Sequence, residues 1–205
     1  MYIERFLERE IVKYLKSGEI LAVVGPRQCG KTTLLKHIFK DLKKAVFLDF
    51  EDRETLELFE EDIKSFSELY VKPNDYLFID EFQYAKEGGK KLKYIYDTYG
   101  TKLVVSGSSV SALSIQSLQY LVGRIFVFNL CPLSFGECLS YKEPRLHSIY
   151  EKRRMTKPII EMILPYFNEF CLFGGYPRVV LANDKAEKET VLKNIYNTYF
   201  LKEIK

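Results

Sequence analysis

"LAVVGPRQCGKTTLLKHIF", residues 21–39, is the stretch that decides the fold. An apolar run, Leu21 to Val24, stops at Gly25. Gly30-Lys31-Thr32 follows, and then apolar residues recur at helical spacing. The whole fits Gly-x-x-x-x-Gly-Lys-[Ser/Thr]. Glycines let backbone N–H groups turn inward and approach phosphate oxygens closely. A helix beginning near Lys31 aims the positive end of its dipole at the same place. In this pattern the lysine, Lys31, reaches the β- and γ-phosphates, and the hydroxyl of Thr32 ligates Mg²⁺. At average residue frequencies chance gives the pattern about once in 150 chains of this length. A strand before it and an amphipathic helix after it make chance rarer still. The stretch therefore predicts a phosphate-holding loop.

Working outward, Ile3, Phe6, Leu7, Ile11, Tyr14 and Leu15 predict a helix before Ser17-Gly18, then a strand over 19–24. The loop leads into a helix from about Lys31 to Asp41. "AVFLDF" (45–50), "YLFID" (76–80), "KLVVSG" (102–107) and "RIFVFNL" (124–130) read as four further strands. The acidic stretch 51–70 reads as helical, with Leu56, Phe59, Ile63 and Phe66 on one face. A helix opens at Gly88-Gly89 and ends at Gly100, and another runs from Ser109 to Leu121. Short apolar strands alternating with helices predict an α/β fold: a five-stranded, mostly parallel sheet covered on both faces. After Leu130 the pattern changes to a turn and short helix, "CPLSFGECLSY", and a basic, proline-ended linker, "EKRRMTKP" (151–158). Helix follows from Ile159, broken by "FGGYPRVV" (173–180). The expected division is 1–150 as the sheet domain, with a soft boundary near 142–157. Residues 151–205 are then a helical lid or the start of a C-terminal domain. The chain ends on "YFLKEIK" with no helix-stop signal, as in a truncated chain or a piece of a longer parent.

Bulk properties narrow the function classes. The 205 residues are 47% hydrophobic and 29% charged, with net charge +3, ordinary globular values that do not by themselves imply nucleic acid. Cys29, Cys131, Cys138 and Cys171 have no zinc-type spacing and read as thiols of a reducing cytosol. Cys29, inside the loop, is a candidate for oxidation. No apolar run has membrane-spanning length, and charges interrupt "MYIERFLERE" where a signal peptide needs an apolar centre. The expectation is a soluble, cytoplasmic protein without membrane contact.

A phosphate cradle alone cleaves nothing. Asp80-Glu81 ends the strand "YLFID", and ligands of open parallel sheets collect at the carboxyl ends of the strands. An Asp there holds Mg²⁺, and a Glu beside it orients and polarises the attacking water. The chain lacks the Asn-Lys-x-Asp stretch with which GTPases read guanine, so ATP is the favoured nucleotide.

Taken in order, "GPRQCGKTTLL", "YLFIDEFQ", "LVVSGSS", "GRIFVFNLCPLSFGE" and "GGYP" resemble a family of archaeal and bacterial AAA+-type P-loop ATPases. That family is related to the STAND class, signal-transduction ATPases with numerous domains. The resemblance spans residues 1 to about 200. Its "GR…PLSF.E" and "GGYP" stretches are the more specific. It implies a Walker A loop made of Gly25, Pro26, Arg27, Gln28, Cys29, Gly30, Lys31, Thr32 and Thr33. It implies Walker B residues Asp80 and Glu81, and a phosphate strand flanked by the strands ending at Asp80 and Ser106. Ser106 would be the sensor of the γ-phosphate or attacking water, with Ser108 its rival. Arg124 would be an arginine finger entering a neighbour's site, which implies a homo-oligomer. Pro177, in Gly174-Gly175-Tyr176-Pro177, would meet the base end of the nucleotide and report its state to the C-terminal part.

Lys86, Lys90, Lys91 and Lys93, with Lys152, Arg153, Arg154 and Lys157, form two basic clusters that read as solvated faces. The expected function is Mg²⁺-dependent ATP binding and hydrolysis coupled to a C-terminal helical segment, with Lys31, Glu81, Ser106 and Arg124 catalytic. The alternative is a nucleotide-regulated switch that binds a DNA or protein client with little hydrolysis. A small-molecule kinase is less favoured, because Glu81 beside Asp80 suits water activation.

Overall fold

All five apolar runs are strands: β1 (Ile20–Val24), β2 (Ala45–Asp49), β3 (Tyr76–Asp80), β4 (Lys102–Gly107) and β5 (Ile125–Asn129). They pair in the order β2-β3-β4-β1-β5, every pair parallel. The computed structural model describes residues 2–108 and 120–203; the helix expected over 109–121 falls almost wholly outside them.

The central runs β1, β3 and β4 lack alternation because both their faces are buried, whereas the edge strands β2 and β5 are only partly covered. Ile20, Ala22, Val24, Leu77, Ile79, Leu103 and Val105 share one core with Phe59, Phe66, Leu92 and Ile95. Those four come from α3 (Arg53–Glu61), α4 (Ile63–Phe66) and α5 (Gly88–Thr98). The intervening Leu21, Val23, Phe78 and Val104 are equally buried and point to the other face. There Tyr14 of α1 (Phe6–Tyr14) meets Phe126 edge-on at 5.0 Å. Phe39 of α2 (Lys31–Phe39) meets Phe78 likewise at 5.8 Å.

Two expectations need correction. β1 is flanked by β4 and β5, and the strand ending at Asp80 lies one place farther out, beyond β4. Strand order depends on crossovers between distant segments, which a linear motif does not encode. The acidic stretch 51–70 is also not one helix. Asp62 turns its backbone to φ −135° and its carboxylate accepts from the N–H groups of Lys64 and Ser65, so it ends α3 and caps α4. A π-helical turn, Ser67–Val71, follows. Phe59 and Phe66 are buried as their spacing predicts.

The chain falls into two compact units. One holds the sheet: Leu7–Pro26 and Lys31–Leu130. The other comprises Met1–Phe6, Arg27–Gly30 and Cys131–Lys205. The second unit begins where the sequence pattern changes. Its helices are α6 (Phe135–Lys142), α7 (Pro144–Glu151), α8 (Lys157–Phe173), α9 (Pro177–Val180) and α10 (Lys185–Glu203). Sequence reading anticipated neither α7, opened by Pro144 at its first turn, nor the helical character of residue 151. Glu169 of α8 accepts from Lys142 of α6 at 2.8 Å and also from Lys188 of α10, which ties three helices together.

The two most family-specific stretches clasp each other in this unit. Leu133 N–H donates to the Gly175 carbonyl at 2.7 Å. A Cβ on Gly175 would lie 1.9 Å from the Leu133 carbonyl oxygen, so only glycine fits. Gly174, at φ 73°, ends α8 in a conformation that favours glycine.

Candidate functional site

Parallel strands deliver their last residues to one edge, and β1, β3 and β4 do so here. Gly25, just past β1, donates its N–H to Gly107 at the tip of β4, 3.3 Å away. Lys31, the first residue of α2, is buried and folds back on the loop. Its Nζ donates to the carbonyls of Gly25 at 3.0 Å and Pro26 at 3.2 Å. Thr32 is half-buried and Thr33 exposed. Gln28 has φ 63° and Gly30 φ 101°, both in the left-handed region. The non-glycine Gln28 there costs on the order of 1 kcal/mol, a cost typical of functional loops.

The acidic tip is wired through β4. Ile79 registers with Val105, which sets Asp80 opposite Ser106. The Ser106 hydroxyl, fully buried, donates to Asp80 Oδ1 and accepts from the Glu81 N–H at 3.3 Å. Asp80 is 1% exposed. Glu81 leaves the strand at φ 52°, a strained conformation for a residue with a Cβ. Its carboxylate accepts from the Gln83 side-chain amide, and Gln83 Oε1 accepts from the Ser108 N–H at 3.3 Å. Of the rival serines, Ser106 is the one whose hydroxyl joins the carboxylate, while Ser108 contributes a backbone amide. Asp80 sits two strands from β1, roughly 10 Å at the usual inter-strand spacing. That distance leaves room for phosphate and a cation.

Arg27–Gly30 group with the second unit, whose side chains hold them. Arg5, 4% exposed, donates from Nη1 to the Cys29 carbonyl at 2.9 Å and from Nη2 to the Cys131 carbonyl at 2.6 Å. Its Nε donates to Glu137 at 3.1 Å. Glu137 also accepts from the N–H groups of Phe6 and Ser134. Pro177 lies beside Gly30: its Cγ is 3.6 Å from the position a Cβ on that glycine would take. Cys29 is fully buried, so the expected oxidation-prone thiol is shielded from solvent.

Arg124 is not brought to this edge. It precedes β5 at the opposite end of the strands, where its carbonyl accepts from the Ile20 N–H. Its Nε pairs with Asp97 at 3.2 Å and its guanidinium lies over Tyr96. The first basic cluster is largely paired within the sheet unit. Lys90 meets Glu87, Lys93 meets Asp97, and Lys91 donates to the last carbonyls of α3.

Sequence reasoning missed Arg5, Glu137 and Gln83. Glu137 carried a signal, since Ser134-x-x-Glu137 is a capping-box pattern and the box forms. Gln83 closes the quoted "YLFIDEFQ" and follows Glu81 by two residues. Arg5 carried none, because its partners lie 24 to 132 residues away.

Known proteins resemble this chain throughout its length. An uncharacterized protein of Methanocaldococcus jannaschii, MJ1544, is 28% identical over 209 residues, covering 98% of this chain and 45% of its own. An uncharacterized protein of Haemophilus influenzae is 26% identical over 214 residues, covering 98% and 50%. The chain thus spans about half the length of these relatives. The Walker-type ATPase PABY2304 of Pyrococcus abyssi superposes with a TM-score of 0.60 over 99% of this chain and 75% of that one. At 16% identity the likeness is one of fold. The AAA domain family matches residues 17–139, which take in the loop, the carboxylate pair and Ser106. More than half of the chain is matched in this way, and with its all-parallel sheet the chain belongs to the AAA domain family as a P-loop NTPase domain.

Proposed function

We propose that the chain is a Mg²⁺-dependent ATP-binding and hydrolysing domain that passes nucleotide state to the helical segment 151–205. The observation that carries this reading is the hydrogen-bonded string at one sheet edge: Lys31 to Gly25, Gly25 to β4, and Ser106 to Asp80 and Glu81.

The donor set fits a magnesium ion. Asp80 and Thr32 are hard oxygen donors. Among the described residues no three His, Cys, Asp or Glu side chains converge on one metal position. A single carboxylate and a hydroxyl, completed by substrate phosphates and water, is how Mg²⁺ is commonly held. When bound, it neutralises charge on the β- and γ-phosphate oxygens. Lys31 exchanges its two loop carbonyls for phosphate oxygens. The N–H groups from Arg27 to Thr33 cradle the phosphates. Glu81, oriented by Gln83, takes the proton of the attacking water. Ser106 holds Asp80 and the Glu81 backbone in one register and senses the γ-phosphate. Pro177, beside Gly30, carries the state of the loop into α9.

Arg124 stands a strand length from the Asp80 edge, roughly 17 Å for five residues. A finger role for it therefore requires a homo-oligomer. A DNA or protein client belongs to the same open set, because the relatives are about twice as long. ATP is favoured over GTP by the missing Asn-Lys-x-Asp stretch.

The test is titration with ATP, with and without Mg²⁺, followed by phosphate release at several protein concentrations, with and without DNA. Mg²⁺-dependent binding and turnover are expected. Absence of binding at millimolar ATP sinks the proposal. A rate that climbs steeply with protein concentration supports Arg124 acting in a neighbour, and release that appears only with DNA favours the switch.

A further inference from the structure

We infer that Arg5 is a positioning residue for the phosphate loop, setting the direction of the Gly30 amide through the Cys29 carbonyl. The inference rests on reading residues 25–33 as a phosphate cradle.

Arg5 is used in an unusual way. An arginine whose task is to neutralise a carboxylate commonly presents two nitrogens to it. Arg5 gives Glu137 only Nε, and sends both terminal nitrogens to backbone carbonyls, Cys29 at 2.9 Å and Cys131 at 2.6 Å. Glu137 does not need more from it, since Phe6 N–H, Ser134 N–H and the Ser134 hydroxyl donate at 2.7, 2.7 and 3.0 Å. Arg5 and Glu137 are 4% and 5% exposed, so the fork is locked. A lysine ammonium, a single point of donation, cannot span the three acceptors.

The peptide joining Cys29 to Gly30 transmits this grip. In a trans, planar peptide the C=O and the following N–H point in opposite directions. Holding the Cys29 oxygen on Arg5 therefore fixes the Gly30 N–H on the far side. Gly30 is flanked by Arg5 and Pro177: Nη1 of the first and Cγ of the second each lie 3.6 Å from where its Cβ would be, an ordinary contact distance. Its φ of 101° is a conformation other residues rarely adopt. The Gly30 amide immediately precedes Lys31 and belongs to the set that faces phosphate in this motif.

The test compares wild type with Arg5→Lys. Three readouts are needed: melting temperature, the Gly30 amide resonance without nucleotide, and affinities for ATP, ADP and adenosine. The expected result is a displaced Gly30 resonance and ATP and ADP affinities about 10-fold lower or worse, the size of one lost charge-assisted hydrogen bond. Adenosine binding should be unchanged, while the melting temperature falls because buried acceptors lose their donor. Equal weakening of all three ligands in step with a lower melting temperature means a structural staple and overturns the inference. An unmoved Gly30 resonance with unchanged ATP affinity overturns it as well. Should Arg5→Lys fail to fold, inorganic pyrophosphate is titrated into wild type, and silent Arg5 side-chain N–H signals overturn it while Gly30 responds. A wild type that binds neither ATP nor pyrophosphate sinks the cradle reading instead. In that event the Gly30 shift in Arg5→Lys alone decides whether the anchor stands.

Discussion

The two edges of the sheet each carry a buried lysine on backbone carbonyls, and they are built for different ends. At the N-terminal edge Lys102, 8% exposed, donates to the carbonyl and hydroxyl of Ser17 at 2.9 and 3.2 Å and to the Glu19 carbonyl. Nearby, Arg124 pairs with Asp97. Lys102 and Arg124 thus have protein partners, although Lys44, just before β2, is also left-handed at φ 49°. At the C-terminal edge Lys31 also holds two carbonyls, but on a loop with left-handed Gln28 and Gly30. Asp80, almost fully buried, has a neutral hydroxyl as its described partner, and Glu81 is left-handed. Strain and a buried charge beside neutral groups are what a protein retains when a ligand is to complete the site. The nucleotide site proposed above lies at the second edge.

Four experiments break or sharpen this contrast. Glu81→Gln should lower phosphate release about 10²- to 10⁴-fold while ATP affinity stays within a few-fold. An unchanged rate removes Glu81 from the chemistry. Lys31→Ala should weaken ATP roughly 100-fold, read by titration, since more than one charge-assisted contact to phosphate is lost. Retained affinity would make Lys31 another Lys102.

Lys102 gives a smaller effect, on stability. Burial pushes its ammonium from 10.5 down to about 8. Between those values the unfolded chain holds a proton the folded chain has released, so stability rises with pH across that window. Below about pH 8 the burial penalty is fully present. Urea unfolding at pH 7, 8.5 and 10 should show the rise in wild type, and Lys102→Met should flatten it. A Lys102→Met chain with the same slope as wild type refutes this account.

Arg124→Ala should do least. An exposed ion pair contributes little, so the melting temperature should move by about two degrees or less. Turnover per chain in dilute solution should also hold. A loss of activity that deepens as protein concentration rises would place Arg124 in a neighbour's site.

Glu81 and Ser106 mark how far the sequence could be read. The central strands were legible because burial on both faces strips them of polar residues, and the carboxylate pair because it ends one of those runs. The resemblance names Ser106 with Ser108 as its rival, and the local sequence does not separate the two. Ser106 is selected by the register of β3 on β4, and "SGSS" offers several hydroxyls of equal local merit. The break at Asp62 was missed because a helical stripe of Phe59, Ile63 and Phe66 continues through a capping residue that a periodicity count ignores.

What the sequence determined by itself is whatever a short segment can encode: strand runs, the phosphate loop and its helix, the acidic strand end. These follow from backbone sterics and local periodicity. Only the tertiary structure decided that β4 separates β1 from β3, that Arg124 sits at the far edge, and that Arg5 grips the loop beside Glu137. The physical reason is that these depend on partners tens to more than a hundred residues apart, brought together by packing, for which the linear pattern carries no signal.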